Sequence, residues 1–370
     1  MHHTTRRPRP RSAARTRILT TALASGVLVL AGCSLGSGSE SAEDGAGPEG
    51  SAPREVVVAS HDSWNMSKKV LKAFTDQTGF EATVQPAGDA GALTNKLVLT
   101  KGSPIADVVY GVDNTFASRA VEEGVLTEYA PEANPGEVFE PQDEEAAAQL
   151  TPVDYSDVCV NVDDTWFADN DLPAPTSFDD LTDPRYQGLF VTPAPSTSSP
   201  GLAFLLATVA EYGEDGWADY WQQLVDNDVK VTAGWSDAYQ VDFTAGGGSG
   251  DRPIVLSYAS SPPFTIPEGG DEPTTSAVLD TCFRQVEYAA VLDGAANVEG
   301  ARAFVDFMTG REFQEALPDQ MYVFPVDPEA TLPDLWADYA VPAEDPATLP
   351  EDEISASRSR WLETWADIAQ

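Results

Sequence analysis

Apolar runs and helically spaced apolar positions alternate along most of the chain. Val56-Val57-Val58-Ala59 reads as a buried strand, and the polar cluster Ser60-His61-Asp62-Ser63-Trp64 follows it. Met66, Val70 and Phe74 then recur at helical spacing until Gly79, a helix stop. Residues 106–110 predict a second strand, running into Gly111-Val112-Asp113-Asn114. Phe116, Ala120 and Val121 predict a helix that closes at Gly124. Residues 201–212 predict another helix, stopped by Gly213. Trp217, Tyr220, Trp221, Leu224 and Val225 share one face of the next and are expected in the core. Ile254-Val255-Leu256-Ser257-Tyr258 predicts a third strand, followed by Ala259-Ser260-Ser261. Strand–helix alternation predicts an α/β fold. Each polar cluster follows the carboxyl end of a strand, the edge at which open α/β sheets bind ligands.

The first 32 residues follow a different pattern. Arg6, Arg7, Arg9, Arg11, Arg15 and Arg17 precede an apolar run from Ile18 to Ala31. At about 14 residues the run is shorter than the roughly 20 needed to span a membrane, and it fits a secretory signal peptide. Its end, Leu30-Ala31-Gly32-Cys33, resembles the lipobox of bacterial lipoproteins, which implies cleavage after residue 32 and lipidation of Cys33. Residues 33–54 are mostly Gly, Ser, Ala and acid and are expected to form a tether of roughly 25 Å root-mean-square span. The protein is therefore expected on the outer face of the cytoplasmic membrane, held by its lipid.

The 370 residues carry 60 acidic and 21 basic side chains, a net charge of −39. Without the six early arginines, 15 basic groups remain and the net charge is −45. Such a surface repels phosphate backbones, so no nucleic-acid partner is expected. A cationic or neutral small ligand suits it better than an anionic one.

Motifs for chemistry are sparse. No Gly-Lys dipeptide occurs, so there is no phosphate-binding Walker loop, and Gly246-Gly247-Gly248-Ser249-Gly250 is expected to be a flexible loop. His61 is the one histidine outside the signal segment, which excludes multi-histidine metal sites. No metal is expected. Cys159 and Cys282 form an even pair beyond Cys33; in an oxidising compartment a bridge between them is expected, the alternative being a reactive thiol.

Four segments resemble the thiamine-binding proteins of bacterial ABC importers: Ala106-Asp107-Val108-Val109-Tyr110-Gly111-Val112-Asp113-Asn114, Ser198-Ser199-Pro200-Gly201-Leu202, Gly234-Trp235-Ser236-Asp237-Ala238-Tyr239 and Leu256-Ser257-Tyr258-Ala259-Ser260-Ser261-Pro262. Their order and spacing agree over residues 55–370. The resemblance implies a two-lobed type II periplasmic-binding-protein fold with a ligand cleft between the lobes. It also implies thiamine or a thiamine phosphate as a transported ligand rather than a cofactor, with an ABC permease and its ATPase as partners of a monomer. Residue by residue, it implies ligand contacts from Asp113 and Asn114, from Ser198 and Ser199 as a hydroxyl or phosphate seat, from the rings of Trp235 and Tyr258, and from Ala259, Ser260 and Ser261. His61, with Asp62 and Trp64 beside it, stands where the family has Tyr. Phe264 also replaces a Tyr, and Tyr322 stands where the family has Trp.

The same resemblance implies the lobe boundaries. The first lobe should take residues 55–155 and 284–325 and the second 156–283, with 326–370 a helical segment packed on the first lobe. Cys159 and Cys282 would lie on neighbouring hinge strands. Two other readings are open: the same fold holding ferric iron, a polyamine or another organic cation, or an enzyme resembling thiaminases that uses a cysteine nucleophile.

Overall fold

The computed structural model describes residues 54–369. The expected signal peptide, Cys33 and the tether as far as residue 53 lie outside them. Ten strands among the described residues form one mixed sheet. They are β1 (Glu55–Ser60), β2 (Glu81–Pro86), β3 (Val108–Asp113), β4 (Leu126–Thr127), β5 (Thr151–Asp163), β6 (Phe190–Pro193), β7 (Lys230–Thr232), β8 (Ile254–Tyr258), β9 (Thr275–Leu292) and β10 (Phe324–Pro325). The main order is β2-β1-β3-β9-β5-β8-β6-β7, with β4 beside β9 and β10 beside β5.

Two long strands divide this sheet into lobes. β5 runs antiparallel to β9 along its whole length, and the register shifts between Pro152 and Asp154 and between Val158 and Val160. The first lobe joins β1, β2 and β3, mutually parallel, to the Glu287–Val291 end of β9. The second joins β6, β7 and β8, also parallel, to the Val158–Val162 end of β5. Cys159 and Cys282 are bonded to each other beside the second of these shifts, and no thiol of the pair remains as a nucleophile.

The local signals act as expected. Helix Lys68–Thr78 closes on Gly79, whose φ is 78°, and buries Val70 and Phe74, with Phe74 meeting Phe304 and Phe307. Gly213 breaks the Ser199–Asp226 helix with φ 69° and ψ 175°, and Trp217 and Trp221 are buried beyond it. One strand is displaced: the expected 106–110 is observed as Val108–Asp113. Asp107 precedes it, its backbone bonding Val57 O and Leu292 N and its carboxylate accepting from the amides of Val57 and Asn297. Gly111 (φ 95°) then takes a bulge, so Asp113 lies within the strand rather than after it.

The C-terminal helix Glu351–Ile368, expected to pack on the first lobe, touches both lobes. Arg358 does donate to Thr115 and Ser118 of the first lobe. Trp365, however, meets Trp221 edge-on, and Arg360 and Trp361 both bond Glu214 of the second lobe. Its buried face, Ile354, Arg358, Trp361 and Trp365, is wide enough to touch both.

Candidate functional site

A cavity of about 340 Å³ lies between the lobes. The first lobe lines it with residues 61–65, Asp89, Ala90 and residues 320–323; the second does so with Ser199, Pro200, Trp235, Ser236, Tyr239, Gln240, Tyr258, Ser261 and Phe264; Glu287 comes from the shared strand β9. Among the sequence candidates, His61, Asp62, Trp64, Ser199, Trp235, Tyr258, Ser261, Phe264 and Tyr322 therefore line it.

The aromatic wall is continuous across the cleft. Trp235 stacks on Tyr239 at 5.0 Å and 15° and lies 6.2 Å from Tyr258. Tyr239 meets Phe264 at 5.9 Å, and Phe264 meets Tyr322 of the opposite lobe edge-on at 5.3 Å. Trp235 is fixed by an Nε1 bond of 3.0 Å to Ser257 Oγ. Tyr322 takes a left-handed backbone (φ 57°) at the end of helix Leu317–Met321, a rare conformation for an aromatic residue, which turns the chain from helix into β10. On the other side, Trp64 packs on Tyr110 and Phe313. The His61 ring lies over Gly111, where a β-carbon would collide with it.

The acids are buried in distinct ways. Asp89 caps helix Ala90–Leu99, accepting from Ala90 N at 2.7 Å, and reaches across the cleft to Ser199 N at 3.2 Å and Trp235 N at 2.9 Å. Burial raises its pKa, and those amide bonds oppose the rise. Asp113 accepts from Ser199 Oγ, from Thr115 Oγ1 at 2.8 Å and from Phe116 N. Burial pushes its pKa up to about 7 against those bonds. Asp154 takes a 2.6 Å bond from Tyr110 and is held well above the usual carboxylate range by burial, then by the charge of Glu287.

Several expected contacts are placed elsewhere. Asp113 is fully buried beneath Ser199 and does not line the cavity. Asn114 bonds Arg284 O and Val286 N, tying β3 to β9. Ser198 is buried as the cap of its helix. Ala259 packs beside the disulfide, and Ser260 bonds Ser156 and the Tyr322 carbonyl. The expected phosphate seat at the helix start is already occupied. Ser199 N is held by Asp89, Pro200 has no N–H, Gly201 N is capped by Ser198 Oγ, and Leu202 N bonds Ser198 O. The glycine run 246–250, expected to be a flexible loop, packs its backbone against the carbonyls of residues 239–242, a close approach that side chains would block.

Asp89, Tyr239 and Glu287 were not among the candidates. Asp89 carries a local signal, an acid directly before the Ala-Gly-Ala-Leu start of a helix. Glu287 is a lone acid inside the apolar run Val286–Leu292. Tyr239 falls within one of the four segments, unremarked beside Trp235.

A family model described as bacterial extracellular solute-binding protein matches residues 103–261. The chain is 28% identical over 332 residues to a thiamine-binding periplasmic protein of Brucella abortus, covering 87% of this chain and 94% of that one. It is 29% identical over 315 residues to the thiamine-binding periplasmic protein of Escherichia coli, covering 84% and 92%. Among solved structures, a periplasmic thiamin binding protein superposes with a TM-score of 0.75 at 26% identity, over 85% of this chain and 96% of that one. The fold is that of the type II periplasmic binding proteins. An iron-bound HitA of Pseudomonas aeruginosa, at 20% identity and a TM-score of 0.68, shares that fold.

Proposed function

We propose that this chain is the solute-binding protein of a bacterial ABC importer, that it captures thiamine by closing its lobes, and that it performs no chemistry on it. One observation carries the reading: the interlobe cavity combines a continuous aromatic wall with buried carboxylates and has no Lys or Arg among its lining residues. Flat rings accept the aminopyrimidine and thiazolium, and a desolvated cation over an aromatic face gains about 2 kcal/mol. Relatives that share most of the chain's length are named for thiamine. The two cysteines are joined, and neither lines the cavity, which disfavours the thiaminase-like alternative.

The unphosphorylated vitamin suits the site best, since the helix-start amides are engaged and the cavity offers no Lys or Arg to a phosphate. Export through residues 1–32, lipidation at Cys33, display on the outer face of the cytoplasmic membrane, delivery to a permease with its ATPase, and a monomeric state complete the reading. Calorimetry with thiamine, its monophosphate and its diphosphate tests it. Binding of thiamine at micromolar concentration or tighter is expected, with the diphosphate weaker; no binding of any of the three would overturn the proposal.

A further inference from the structure

Five acids surround the cavity, and their surroundings differ. Asp62 lies exposed at the rim, where water screens its charge. The Asp89 carboxylate is held by three backbone amides. Asp113 is enclosed and bonded by Ser199, Thr115 and Phe116. Asp154 lies below the floor under Tyr110, and burial favours its protonated form.

Glu287 differs from all four. It is 7% exposed, lines the cavity and stands on β9, the strand common to both lobes. Its Oε2 accepts a long 3.4 Å contact from the Tyr110 hydroxyl, which bonds Asp154 more closely at 2.6 Å, and the buried Asp154 carboxyl lies beside it. Its Oε1 faces His61 Nε2 at 3.6 Å, beyond hydrogen-bond reach, and that buried nitrogen has no hydrogen-bond partner. A largely buried carboxylate with no close donor on its cavity-facing oxygen is costly unless a charge or donor meets it. No Lys or Arg lines the cavity to do so.

The geometry points to Glu287 as the residue that selects for a positively charged ligand, an assignment that rests on the thiamine reading above. The aromatic wall accepts flat rings whether neutral or charged. The carboxylate on the floor supplies the difference between them, and its position on the common strand sets it before either lobe moves.

The test is calorimetry of the wild type and Glu287→Gln with thiamine and with a neutral isostere whose ring carries carbon in place of the quaternary nitrogen. The wild type should prefer thiamine by at least about tenfold. Glu287→Gln should lose at least about tenfold in thiamine affinity and keep its affinity for the isostere within about threefold. Equal losses for both compounds would assign Glu287 to packing or to the aminopyrimidine edge and overturn the proposal, as would an unchanged thiamine affinity. Binding of the isostere by Glu287→Gln also reports that the variant folds. If it does not fold, the wild type alone decides, because equal wild-type affinities for the two compounds overturn the assignment. A wild type that binds neither overturns the thiamine reading and this proposal with it.

Discussion

Gly91 offers a way to hold the lobes apart without touching the ligand. It lies in the first turn of helix Ala90–Leu99, and its face meets the second lobe. A β-carbon there would lie 2.7 Å from the Thr197 carbonyl carbon and 2.9 Å from its oxygen. Restoring ordinary contact requires the lobes to separate by about 0.7 Å at this point. That movement takes the Ala92 N to Thr197 O bond, now 3.0 Å, out of range. It also stretches the Asp89–Ser199 N bond from 3.2 Å beyond a useful length. One neutral bond contributes about 1 kcal/mol and one charge-assisted bond about 2 kcal/mol, so closure should lose about 3 kcal/mol.

Gly91→Ala should therefore weaken thiamine binding by about a hundredfold. The same β-carbon meets the Phe116 ring at 2.7 Å. Phe116 belongs to the first lobe, so its readjustment is shared by open and closed forms and appears in the melting temperature rather than in the affinity. Calorimetry with thiamine, together with thermal melting of the ligand-free protein, separates the two. A dissociation constant within about threefold of the wild type would refute the view that this contact forms on closure.

Three further outcomes are expected. Trp235→Ala should lose at least about tenfold in thiamine affinity, measured by calorimetry, because it removes the stacking face beside Tyr239 and Tyr258. Asp113→Asn should become more stabilising relative to the wild type as pH rises. Folded Asp113 holds its proton up to about pH 7 while the unfolded chain releases it near 3.8, so wild-type stability falls as pH rises between those values, by an amount on the order of 4 kcal/mol. Urea unfolding near pH 5 and near pH 8 checks this, and a pH-independent difference would refute it. Replacing Cys159 and Cys282 by Ala opens a loop of sequence separation 123 and should cost about 4 kcal/mol by urea unfolding, while thiamine binding persists because neither residue lines the cavity.

The parts of this molecule that were legible in the sequence are those governed by local signals. The β1 and β8 strands, the stops at Gly79 and Gly213 and the buried face of Trp217 and Trp221 follow from apolar spacing and backbone freedom alone. Most aromatic residues of the cavity, though not Tyr239, were legible because strand ends and the loops after them in an α/β sheet converge on one edge. What was hidden depends on contacts distant in sequence. Asp113 looks like a ligand residue at a strand end, but the bulge at Gly111 keeps it in the strand and Ser199 covers it. Asp89 and Glu287 are short-range unremarkable acids in a chain with 60 of them. Only the folded arrangement shows one bridging the lobes and the other facing the cavity.

These placements separate closure from selection. Some of the contacts between the lobes use backbone groups: Asp89 on the amides of Ser199 and Trp235, and Ala92 on the carbonyl of Thr197. Such contacts form in the same way whatever small molecule lies between the lobes, so weakening them lowers affinity for all ligands by one factor. On the proposed reading the ligand meets side chains, the aromatic wall and Glu287, whose removal should change the ratio between ligands. Gly91→Ala should accordingly scale the affinities for thiamine and its neutral isostere together, leaving their ratio unchanged. Glu287→Gln should collapse the ratio with little effect on the isostere. A double variant should combine the two losses additively to within about 0.5 kcal/mol, provided Asp89 and Glu287 act through the separate groups that the structure assigns to them. Strong coupling between the two substitutions would mean instead that the latch senses the ligand's charge.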